Sequence, residues 1–150
     1  MYIGLLHLHS FLRYVLLALL IITIVKSFSG WFGKKSYSAA DNKLSLFTMI
    51  AAHTQLLLGI ILYSISEKVS EGWSDFAAAM KEPVLRFWTV EHISGMLIAI
   101  TLITIGRITS KKSIKDISKH KKVALYFLCA LLLILVSIPW PFSTVPASWF

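Results

Sequence analysis

The sequence predicts an all-α integral membrane protein: a four-helix bundle running up-down-up-down with both termini on the outer side. Three observations lead there. The composition is apolar and charge-poor, with 57% of the 150 residues drawn from AVILMFWYC and only 15% charged, whereas soluble domains carry about a quarter charged residues. Four apolar stretches match the roughly 20 residues that cross a bilayer. Lys and Arg sit in blocks between those stretches. The net charge of +8, from 15 Lys+Arg against 7 Asp+Glu, is therefore a topological signal and not a polyanion-binding one, so no nucleic-acid partner is expected.

The first helix is expected over about 3–25. Met1 to Leu6 carries no basic n-region and no small-x-small site follows, so this segment is read as retained. The second helix, about 44–63, starts ahead of the bilayer, because Ser38-x-x-Asp41 has the form of a capping box. The third, about 84–106, opens after Pro83, a favoured first-turn residue. The fourth, about 123–140, is stopped by Pro139 and Pro141 and is almost featureless apart from Cys129 and Ser137, which points to a packing role. Between the second and third helices, SDFAAAMK (about 74–81) reads as a short surface helix with Phe76 and Met80 on its apolar side, lying over the mouth of the bundle. Trp149 and Phe150 in the tail read as an interfacial anchor. All of this forms one transmembrane domain, 1–150.

Orientation follows from the basic residues. Lys26, Lys34, Lys35 and Lys43 flank the first loop, and Arg107, Lys111, Lys112, Lys115, Lys119, Lys121 and Lys122 fill the third, which places both on the cytoplasmic side. The second loop holds Glu67, Glu71, Asp75 and Glu82 against Lys68 and Lys81 and goes outside. Tyr2, Tyr63, Trp88 and Trp140 then fall near the outer interface. The lone cysteine excludes an intrachain disulfide, a CxxC zinc site and a covalent CxxCH haem attachment.

The chemistry lies in polar residues inside the spans, each costly unless it faces protein or a cavity. The first helix carries His7, His9, Ser10 and Arg13; the second His53, Thr54 and Gln55; the third Glu91, His92 and Ser94. At about 1.5 Å of rise per residue, His9 and His92 fall about 10 Å below the outer surface, with Arg13 and His53 about 15 Å down. In an up-down-up-down bundle the first and third helices are diagonal, so His9 and His92 can face each other. Arg13 shares the face of His9, four residues on. Two neutral imidazoles and a cation suit a b-type haem: His9 and His92 on the iron, His53 as the alternative ligand, Arg13 on a propionate.

Gly95, Ala99 and Gly106 recur on the third helix, leaving room beside an imidazole or allowing close packing of helices, while Trp88 and Met96 complete the wall. His7 is read as an interhelical hydrogen-bonding group, Glu91 as the ion-pair partner of Arg13 in preference to a proton carrier, and His120, in a lysine-rich loop, as a solvated residue.

LLHLHSFLRY in the first helix, AAHTQLLLGIILY in the second, VEHISGMLIAITLITIGR in the third and the closing SIPWPF together resemble the small four-helix bacterial membrane proteins labelled cytochrome b-like. The resemblance spans nearly the whole chain. It implies a haem b ligated by histidines among His9, His53 and His92, and electron transfer in the bacterial cytoplasmic (inner) membrane. The paired histidines on one helix that two-haem respiratory cytochromes b use are absent, so one haem is the expected limit. The function expected is electron transfer within a respiratory or redox complex, with partner subunits and with quinone as a candidate partner. Two alternatives stand beside it: a non-catalytic accessory or assembly subunit whose polar cluster fixes packing, and a transition-metal site built from His7, His9, Glu91, His92 and Met96.

Overall fold

A computed structural model describes residues 2–143 and 145. Trp149 and Phe150, expected to anchor the tail, lie outside the described residues. Seven α-helices and one π turn run through the described chain: α1 (Tyr2–Phe32), α2 (Ala39–Ser64), α3 (Glu67–Ser74), α4 (Phe76–Ala79), α5 (Pro83–Arg86), the π turn Phe87–Glu91, α6 (His92–Lys111) and α7 (Asp116–Ser137), with no strand among the described residues. Four helical segments, Tyr2–Phe32, Ala39–Ser64, Pro83–Lys111 and Asp116–Ser137, are long and apolar enough to cross a membrane.

These segments form a bundle in which α1 packs on α2 and α7, and α6 packs on the same two neighbours. The pair α1 and α6 therefore sits across the core, as does the pair α2 and α7. Leu16, Leu20, Ile103, Phe127, Ala130 and Ile134 fill the centre, while Ile3, Phe11, Val25, Leu57, Ile98 and Val136 face outward, an apolar exterior suited to lipid contact.

The long helices outrun the apolar stretches that reveal them. α1 continues to Phe32, α6 to Lys111, and α7 begins at Asp116, seven residues before the apolar run. Hydropathy marks the part of a helix that suits hydrocarbon, and polar turns at either end extend it unseen. The expected capping box is present: the Asp41 amide donates to Ser38 Oγ at 3.2 Å, and the Ser38 amide donates to Asp41 Oδ2 at 3.0 Å. Pro83 opens α5, with Glu82 accepting from the Leu85 amide at 2.6 Å.

The connection between α2 and α5 differs from its expected form. One helix over 74–81 is replaced by α3 over Glu67–Ser74 and the single turn α4 over Phe76–Ala79, with Asp75 capping the latter by accepting from the Ala78 amide at 3.0 Å. Phe76 is exposed and stacks on Trp73 at 5.2 Å instead of packing downward. α3 is held onto the π turn at Gly72, where a Cβ would collide with the Thr89 side chain.

Trp73 Nε1 donates to Tyr63 Oη at 2.9 Å, and Tyr63 Oη donates to the Thr89 carbonyl at 2.7 Å. The π turn shifts hydrogen-bond register from i−4 to i−5, as in the His92 amide bonded to the Phe87 carbonyl. Tyr63 thus supports the backbone one turn before His92. Tyr63→Phe is expected to lower stability by about 1 kcal/mol and to speed hydrogen exchange selectively in residues 87–92.

Candidate functional site

At the end of the bundle covered by α3, a cavity of about 650 Å³ opens between α1, α2, α6 and the end of α7. Its size falls within the range of cofactor and ligand pockets. Leu16, Leu56, Met96, Ile100, Ile134 and Ile138 supply apolar wall; His9, Ser10, Arg13, Gln55 and His92 supply polar groups; Glu67 and Lys68 belong to α3 at the rim.

His9 and His92 come from the two helices that face each other across the bundle, and both line this cavity. Arg13, one turn after His9, lines the same cavity. Its guanidinium lies 4.8 Å from the Tyr14 ring centroid and Nη2 donates to Tyr14 Oη at 3.1 Å. Gln55 fixes the height of α1 against α2, donating from Nε2 to the backbone carbonyl of His9 at 2.7 Å. Gly59 lets α2 approach the His9 ring, whose Cε1 would lie 3.3 Å from an added Cβ.

His92 is the most firmly placed member. Its Nδ1 lies 2.8 Å from the carbonyl oxygen of Ser137, the last residue of α7, so Nδ1 carries the proton. The rings of Phe87 and Trp88 flank it at 5.7 and 5.8 Å. Three polar atoms in the wall, His9 Nδ1, Gln55 Oε1 and Trp88 Nε1, are buried without a hydrogen-bond partner, an unusual concentration given that buried polar groups are nearly always satisfied.

Other candidate residues are placed elsewhere. His53 is exposed on the opposite side of α2, its Nδ1 bonded to the Met49 carbonyl at 2.9 Å, in a shallow groove with Ile50, Thr54, Leu57, Thr104 and Ile108. Residues 53 and 55 are about 200° apart around a helix, so only one of them can face the cavity, and it is Gln55. His7 is exposed.

The expected Arg13 to Glu91 ion pair does not form. Glu91 is exposed and binds Arg86, Nε to Oε1 at 2.7 Å, because the π turn carries it out of the bundle. This separation also breaks up the metal set His7, His9, Glu91, His92 and Met96; among the described residues no three His, Cys, Asp or Glu side chains gather as a metal group.

Trp88 and Met96 line the cavity as expected, but the stripe of small residues does not. A Cβ on Gly95 would collide with Ser137 Oγ and one on Gly106 with Tyr126, so the stripe is the seam where α6 meets α7.

A second polar cluster occupies the opposite end. Arg107 is 5% exposed and donates from Nη1 to Ser45 Oγ (2.7 Å), the Asn42 carbonyl (3.1 Å) and Asn42 Oδ1 (3.2 Å). His120, expected in solvent, is 2% exposed: its Nε2 lies 3.4 Å from the Ser36 carbonyl, and its ring packs edge-on to Tyr37 and against Gly30. The early start of α7 turns this residue inward.

No protein-family model matches the chain, and no curated protein or solved structure matches it either.

Proposed function

We propose that this protein is a membrane b-type cytochrome that holds one haem b in the cavity between α1 and α6 and takes part in electron transfer within a respiratory or redox complex. The observation that carries the reading is the convergence of His9 and His92, from helices facing across the bundle, on one cavity with Arg13 beside them.

The donor set fits the group. His9 and His92 would hold the iron, Arg13 would suit a propionate, and the apolar wall would suit the macrocycle. His92, tied through Nδ1 to a backbone carbonyl, has the outer hydrogen bond that orients metal-bound histidines. When bound, the haem supplies one-electron chemistry. The chain's part is to hold the ligands, exclude water with apolar wall residues, and place a fixed positive charge at Arg13. The charge distribution supports an up-down-up-down arrangement with both termini and the α3 cap outside, and the bacterial inner membrane is the location that the resemblance to cytochrome b-like proteins implies. Quinol is a suitable electron donor by its solubility in the bilayer, and partner subunits are the electron acceptor.

Haem titration of the detergent-solubilised protein tests this reading. Tryptophan fluorescence, to which Trp88 at the cavity contributes, is expected to fall and to saturate at one haem per chain; a linear, non-saturating decline would contradict it. His53→Phe is expected to leave this titration unchanged, because His53 lies across α2 from the cavity.

A further inference from the structure

α2 carries two polar side chains on its outward face in the middle of the span. His53 and Thr54 are both exposed, and His53, eleven residues before Ser64, lies about 16 Å from that end of the helix, about half the thickness of the hydrocarbon. Its Nδ1 is bonded to the Met49 carbonyl at 2.9 Å; a carbonyl only accepts, so the proton sits on Nδ1 and Nε2 is a bare acceptor. Thr23, Thr48, Thr101, Thr104 and Thr109 each donate to the carbonyl four residues back at 2.7 to 2.9 Å. Thr54 makes no such bond, and its hydroxyl has no other hydrogen bond among the described residues.

Polar groups in a bilayer are kept against protein or a cavity, because the hydrocarbon offers no water to satisfy them. An acceptor and a donor on adjacent residues form a self-complementary pair. Exposed Phe47, Ile50, Leu57 and Ile61 complete a stripe through Thr54 at steps of three and four, the a/d spacing of a helix seam. Two copies inserted in the same orientation are related by an axis along the bilayer normal, so α2 meets its counterpart in parallel and at equal depth. A side chain at 54 then enters the hole formed by residues 50, 53, 54 and 57 of the facing helix, and all four line the shallow groove between α2 and α6. We infer that this face of α2 is an interface between two copies of the chain, in which the Thr54 hydroxyl of each donates to His53 Nε2 of the other. The inference stands apart from the function proposed above, since groove and cavity lie on opposite sides of α2.

The test uses the full chain in phosphatidylcholine vesicles. Energy transfer between separately labelled populations of the wild type is expected to reveal a dimer. In a Cys129→Ala background, Ile50→Cys and Leu57→Cys are expected to crosslink between copies on mild oxidation, whereas Leu132→Cys, exposed on α7 across the bundle from α2, is expected not to. Thr54→Val and His53→Phe are each expected to weaken the dimer about tenfold. The double variant is expected to weaken it no further, because each change removes the same two bonds.

A wild type that stays monomeric overturns the inference without any variant; a hydroxyl-bearing lipid or quinol recovered at one per chain from the wild type, and not from His53→Phe, would then be the occupant of the groove. Equal crosslinking at Leu132→Cys, which marks random collision, overturns it too. So do single variants that dimerise like the wild type, or losses that add in the double variant, which would mark general loosening of the contact. A dimer that takes up no haem supports this inference and overturns the haem reading.

Discussion

His9→Ala and His92→Ala are each expected to weaken haem binding by at least about a hundredfold, since loss of a ligand's hydrogen-bond partner alone costs about 10–100-fold. The double variant is expected to bind none. The fold should survive these changes. Gln55 bonds the backbone oxygen of residue 9, not its ring, so the link between α1 and α2 remains in His9→Ala. His92→Ala leaves the Ser137 carbonyl without its partner, at a cost of about 1–3 kcal/mol. Haem content measured against helicity by circular dichroism separates the two effects. Full occupancy in either single variant would remove that residue from the site.

Arg107→Met is expected to cost about 3 kcal/mol of stability, since it removes one nitrogen that serves three acceptors in a buried position. Methionine retains most of the apolar stem, so the loss reports the hydrogen bonds and not a cavity. Ser45 also bonds Tyr37 Oη at 3.2 Å, and Tyr37 packs on His120. The damage should therefore spread through the α1–α2 and α6–α7 connections and leave the cavity at the far end intact. Unfolding in mixed micelles measures the loss, and haem affinity at low temperature is expected to stay within about twofold of wild type, well under 1 kcal/mol. A change below about 0.5 kcal/mol, the scale of ordinary surface substitutions, would contradict this role.

Hydropathy found the four long helices, and counting the rise along them put His9 and His92 at similar depth, because both signals are local and periodic. What it missed depends on contacts between helices or on backbone groups. The Ser137 carbonyl carries no side-chain label, although Pro139 two residues later is a readable sign that the helix ends there and leaves its last carbonyls without helical donors. The π turn was invisible because FWTVE has no distinctive composition, and by inserting an extra residue it turned Glu91 away from Arg13 toward Arg86. Arg107 and His120 sit in charged segments that read as loops, yet the helices continue through both and carry the two side chains inward. His53 was separable in principle, since the helical period sets it on the opposite face from Gln55.

The visible absorption spectrum of the detergent-purified protein, recorded before and after dithionite, tests the central claim most directly. Ligation by His9 and His92 predicts a strong Soret band with α and β bands that sharpen on reduction, all lost together in the double alanine variant. A colourless protein after expression with ample haem would contradict the account and leave the paired histidines and Arg13 as a structural or metal-binding cluster.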